Sequence, residues 1–164
     1  MALALSRPGP ALSVALVGGR TAGKTCLARS AGEAQKAVAE GPYLPTVSIT
    51  RHVATIRSHG DLAVDLWEAP TWLLAADPQA HFQRGRDGVI FVIDCTRPAT
   101  LDDVLAHWLH APGAEFLFAG TKADLASATD LAVLEERLQQ LGLPFLLGSS
   151  QEQAFGQMVL SRLL

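Results

Sequence analysis

Ala11-Leu12-Ser13-Val14-Ala15-Leu16-Val17-Gly18-Gly19-Arg20-Thr21-Ala22-Gly23-Lys24-Thr25 changes character twice. Residues 11–17 are small, apolar or β-branched, which is the composition of a buried strand, and Gly18-Gly19 ends it. From Lys24 an alanine-dense stretch reads as a helix to Glu40, broken by Gly41-Pro42-Tyr43-Leu44-Pro45. Between the two, Gly18 to Thr25 fits G-x-x-x-x-G-K-[ST] in the strand–loop–helix setting that this motif requires. Its chemistry is direct. Glycines let the backbone curl so that successive N–H groups face an anion. The helix N-terminus adds partial positive charge. Lys24 reaches the outer phosphates of a nucleotide, and the Thr25 hydroxyl suits Mg²⁺. Gly18, Gly19, Arg20, Thr21, Ala22, Gly23, Lys24 and Thr25 are therefore the candidate phosphate-binding residues.

The rest of the chain alternates strands and helices. Residues 47–57 and 61–67 read as two strands around the turn Ser58-His59-Gly60. In the second, Leu62, Val64 and Leu66 alternate with Asp61, Ala63 and Asp65, so one face is buried. Residues 69–87 carry Pro70, Pro78 and Gly85 and read as irregular. Gly88-Val89-Ile90-Phe91-Val92-Ile93-Asp94 is an unbroken apolar run that suits the centre of a parallel sheet. Thr100 opens a helix with Asp102 and Asp103 in its first turn, and Leu101, Val104, Leu105 and Trp108 form its apolar face. Glu115–Ala119 is a further strand. Leu131, Leu134, Leu138 and Leu141 make a helical stripe that Gly142 ends. Leu143–Leu147 is a last short strand, and Phe155, Met158, Val159 and Leu163 mark the inner side of a final helix. The expected fold is α/β: a mostly parallel six-stranded sheet with helices on both faces. Residues 1–10 read as a tail and 11–164 as one domain.

Composition narrows the partners. Of 164 residues 49% are apolar, enough for a real core, and the formal net charge is −3 without a basic stripe. A nucleic-acid partner is not expected. No apolar run approaches the roughly 18 residues of a membrane span. Met1–Pro8 does not read as a secretory signal. Ala2 does not suit myristoylation, and Leu164 is no prenylation site. No intrinsic membrane anchor is expected. Cys26 and Cys95 read as reduced thiols of a cytoplasmic protein, without a nucleophilic role. His107 and His110 read as exposed helix residues, since no third metal ligand is evident.

Thr121-Lys122-Ala123-Asp124, following a strand, resembles the base-recognition motif [NT]-K-x-D of small GTPases. Its aspartate accepts two hydrogen bonds from guanine, a donor pair that adenine lacks. Ser149-Ser150-Gln151 is similar to the third base-contacting loop. Pro45-Thr46 is similar to the first switch, whose threonine binds Mg²⁺. With the phosphate loop, these residues make the chain resemble a Ras-superfamily small GTPase from about residue 12 to 164. The Arf-like branch is similar at Leu44-Pro45-Thr46-Val47, His81-Phe82 and Gly88–Asp94. The long interswitch and the Thr-Lys-x-Asp form are Rab-like. The amphipathic N-terminal helix of Arf proteins is missing. The resemblance implies the P-loop small-GTPase fold, GTP or GDP with Mg²⁺ as cofactors, Thr121, Lys122, Asp124, Ser149 and Ser150 around guanine, and Thr25, Thr46 and Glu68 around the metal.

The second switch departs from the family pattern Asp-x-x-Gly-Gln. Aligned from Trp67, this chain has Glu68-Ala69-Pro70-Thr71-Trp72. Glu68 replaces the metal-holding aspartate, and its extra methylene must fold back. Thr71 carries a Cβ where the family has glycine, and Pro70 stiffens the approach. Trp72 replaces the glutamine that positions the attacking water; an indole donates one hydrogen bond and accepts none. Arg20 stands where Ras-like members carry glycine, so it either crowds the water and an arginine finger or clamps phosphate itself. The expectation is a GTP–Mg²⁺-binding module with weak or absent hydrolysis. Trp72, Leu73 and Leu74 read either as a patch for an effector or complex-subunit protein or as a short helix packed on the sheet. An active switch with an unusual hydrolytic group and a nucleotide-free scaffold are the alternatives. Some degenerate members of the superfamily serve ciliary complexes, so the resemblance leaves such an assembly, and a ciliary location through it, open.

Overall fold

The computed structural model describes residues 11–32, 48–77, 81–109 and 113–164. The expected tail 1–10, the helix beyond residue 32, the break at 41–45, Thr46 and His110 lie outside the described residues. Six strands form one sheet: β1 (Leu12–Gly18), β2 (Thr50–Ile56), β3 (Leu62–Glu68), β4 (Gly88–Asp94), β5 (Glu115–Thr121) and β6 (Phe145–Leu147). Their order is β2-β3-β1-β4-β5-β6. Every pairing is parallel except β2 with β3. The helices are α1 (Lys24–Ala31), α2 (Thr71–Ala76), α3 (Thr100–Trp108), α4 (Ala128–Gln140) and α5 (Gln153–Leu163).

Strand alternation explains the two layers of core. In β4, Ile90 and Val92 face a cluster with Leu27 and Ala28 of α1 and Phe155, Val159 and Leu160 of α5. Val89, Phe91 and Ile93 point the other way, against Leu101 and Val104 of α3 and Leu134 and Leu138 of α4. A strand buried on both faces must be apolar throughout, which is why β4 shows no polar alternation. At the hairpin, Gly60 (φ 69) and Asp61 (φ 59) take the left-handed conformation that turns β2 into β3.

Several expectations need correction. Residues 69–87 are not irregular throughout: Thr71–Ala76 is a helix and His81–Gln83 a 3-10 turn. So short a helix has little stability of its own; Leu74 docks it on the α3–α4 core, and Asp77 accepts hydrogen bonds from the Phe82 and His81 backbone N–H groups at 2.7 and 2.9 Å. β5 runs on to Thr121, because it pairs with β4 up to Asp94. Met158 and Leu141 are exposed, since the buried side of α5 turns toward Gly156 and Leu160 and α4 ends at Gln140. His107 is buried, not exposed, because it stands one turn beyond Val104 on the inner side of α3.

Candidate functional site

The carboxyl ends of β1, β3, β4 and β5 converge where the sheet reverses its winding, the place where open α/β sheets hold ligands. β1 ends at Gly18 so close to β4 that a Cβ there would stand 2.6 Å from the Val92 carbonyl oxygen. The loop then turns through Thr21 (φ 59) and Gly23 (φ 91), both left-handed. Gly23 lacks a Cβ for a second reason: one would meet Thr121 Oγ1 at 3.0 Å and Ser150 Oγ at 3.3 Å. Lys24 is 6% exposed. Its Nζ donates to the carbonyls of Gly18 at 2.8 Å and Gly19 at 2.9 Å, spanning the loop. Burial pushes its pKa below the ordinary lysine value, and the Glu68 carboxylate opposes that shift. Arg20 is exposed.

Thr25 and Glu68 come together from α1 and the end of β3. The Thr25 hydroxyl donates to Glu68 Oε1 at 2.6 Å, and Glu68 is 1% exposed. The Glu68 carboxylate thus lies beside the start of α1. A hydroxyl and a carboxylate are hard oxygen donors of the kind that Mg²⁺ takes beside phosphates, so the pair fits that ion. Oε2 of Glu68 meets His52 Nε2 at 2.9 Å. Sequence reasoning missed His52. The hairpin carried a signal for it: Thr50 stands opposite Glu68, and two residues along a strand return to the same face.

The loop after β5 is tied to the loop after β1. Thr121 is fully buried, and its hydroxyl lies 2.6 Å from the Ala22 carbonyl and 3.2 Å from that of Ile93. Lys122 takes a positive φ of 58, and its Nζ donates to the Thr21 carbonyl at 2.6 Å and to Asp94 Oδ2 at 2.7 Å. The Ala123 N–H donates to the Gly148 carbonyl, and the Gly148 N–H to that of Gly120. Ser149 and Ser150 are thereby held beside this loop, both buried. The Cys26 thiol donates to the Ser150 carbonyl at 3.2 Å. Asp124 is exposed at the loop's outer side.

Asp94 and Arg97 also escaped the sequence reading. Asp94 is 1% exposed at the end of β4. Burial pushes its pKa up, but Lys122 and Thr96 outweigh this and hold it below the ordinary aspartate value. Arg97 donates to Thr21 Oγ1 at 2.6 Å, to the Arg20 carbonyl at 3.1 Å and to Asp94 at 3.2 Å. The signal for Asp94 was its place at the carboxyl end of a central parallel strand; Arg97 had none. In α2, Trp72 is 55% exposed while Leu73 and Leu74 are half-buried. Cys95 is buried, and its thiol is pushed up to about 12, chiefly by burial. None of the described helices is long and apolar enough to cross a membrane. Among the described residues no group of three or more His, Cys, Asp and Glu is arranged to hold a metal.

No family model matches the chain. It is 26% identical over 147 residues to "GTP-binding protein YPTM1" of Zea mays, a span of 84% of this chain and 68% of that protein. The chain is therefore a distant relative of a GTP-binding protein. With its six-stranded, mostly parallel sheet and its phosphate loop after the first strand, it has the P-loop fold of the small GTPases.

Proposed function

We propose that the chain binds a guanine nucleotide with Mg²⁺, holds GTP with weak or absent hydrolysis, and presents a surface to a partner protein. One observation carries the reading. Lys122 Nζ joins the Thr21 carbonyl to the Asp94 carboxylate at 2.6 and 2.7 Å, which ties the Gly18–Thr25 loop to the loop bearing Asp124, as the two sides of a single nucleotide site would require. In this reading the loop N–H groups and Lys24 hold the phosphates, Thr25 and Glu68 hold Mg²⁺, Asp124 selects guanine, and Ser149 and Ser150 close the base side. The ion, when bound, neutralises charge on the phosphate oxygens.

Slow hydrolysis follows from α2. Pro70 precedes the helix in an extended conformation (φ −65, ψ 150), Thr71 begins it, and Trp72 is 55% exposed. An indole accepts no hydrogen bond, so it does not orient an attacking water. The wild-type chain should release its ligand on acid extraction as GTP, read by ion-exchange chromatography. Brisk phosphate release in a single-turnover assay, with GDP recovered, would favour an active switch instead. Recovery of no nucleotide would favour a scaffold.

A further inference from the structure

We infer that His52 is a positioning residue for the metal site: it holds one oxygen of Glu68 so that the other faces Thr25 and Mg²⁺. This rests on the proposed nucleotide reading and adds a residue to it.

A glutamate has one more rotatable bond than an aspartate, so a buried glutamate carboxylate needs more fixing before it can serve as a ligand. The structure supplies a hydrogen bond on each oxygen. The Thr25 hydroxyl donates to Oε1 at 2.6 Å, and His52 Nε2 stands 2.9 Å from Oε2. With Glu68 acting as a carboxylate acceptor, His52 meets it as the donor in its Nε2–H tautomer. The antiparallel register makes the contact possible. Thr50 pairs with Glu68 and His52 with Leu66, so His52 and Glu68 share a sheet face as diagonal neighbours within reach of long side chains. The side chains are 15% and 2% exposed, respectively, so bulk water competes weakly for either group. Partners behind a metal ligand fix its orientation, and their loss weakens metal affinity about 10–100-fold.

The test uses the full chain loaded with N-methylanthraniloyl-GDP, whose release is followed against free Mg²⁺ in buffered series. His52→Met keeps length and packing but removes the donor. His52→Gln keeps length and restores an N–H donor. His52→Met should raise the Mg²⁺ midpoint for nucleotide retention about 10-fold or more, and His52→Gln should recover most of that shift. In excess EDTA the three proteins should release nucleotide at the same rate. An unmoved midpoint in His52→Met, or a His52→Gln no better than His52→Met, overturns the role of His52 while leaving nucleotide binding intact. A wild-type chain that takes up no nucleotide overturns the binding reading itself, and this role with it.

Discussion

The hydroxyl of Thr121 donates to the carbonyl of Ala22 at 2.6 Å, a contact between residues 99 apart in the chain. It fastens the end of β5 to the phosphate loop inside a fully buried space. Thr121→Val preserves the shape and leaves that carbonyl without its donor. The loss should be about 1–3 kcal/mol, read by urea unfolding, with faster nucleotide release in the same variant. Unfolding and release both unchanged would remove the connection from the site.

Lys24 should serve both stability and binding. It is a buried cation whose Nζ donates to the Gly18 and Gly19 carbonyls and whose charge faces the Glu68 carboxylate, and removing one such partner alone leaves the others uncompensated. Lys24→Met should therefore lower the melting temperature of the nucleotide-free chain. The rise in melting temperature that added GTP gives the wild type should disappear. A variant still stabilised by GTP would contradict phosphate binding by Lys24.

Asp94 sets an acid dependence whose sign follows from its environment. Despite burial, Lys122 and Thr96 hold its pKa below the ordinary aspartate value. A depressed folded-state value makes the stabilisation complete above the unfolded-state pKa, about 3.9, and it is lost as pH falls from there through the folded-state value. Asp94→Asn should be less stable than wild type at pH 7 by about 1.5–3 kcal/mol. Paired urea titrations should show that gap narrowing below about pH 4. A gap constant with pH would mean the charge of Asp94 is not what stabilises.

The two sides of α2 should respond differently. Trp72 is 55% exposed, whereas Leu74 packs on the α3–α4 core. Trp72→Ala, at the more exposed of the two side chains, should lower stability by less than Leu74→Ala does. Leu74→Ala should lower stability by about 1–2 kcal/mol, less than a fully buried leucine. If Trp72→Ala destabilises as much as Leu74→Ala, the indole is a packing element and not a surface for a partner.

Much of this was legible in the chain. The apolar run of β4, the glycine-rich loop and the acidic first turn of α3 are local signals, and each stands where its pattern placed it. The helix α2 was legible only as one of two readings of Trp72, Leu73 and Leu74, because six residues are too few to show a helical period. The inward side of α5 was half legible: Phe155, Val159 and Leu163 are buried, whereas Met158 is exposed. Among the site residues, Lys24, Thr25 and Thr121 announced themselves through motifs. His52, Asp94 and Arg97 carry no motif and act through residues distant in sequence.

By itself the order of residues determined the alternation of strands and helices and the conformation of the phosphate loop, since hydrophobic period and glycine's freedom act over a few neighbours. Only the tertiary structure decided what holds the site's side chains: Thr25 meets Glu68 across 43 residues, and Lys122 reaches Asp94 across 28. Such contacts depend on which strands lie side by side and in what register, and no short stretch of sequence contains that information.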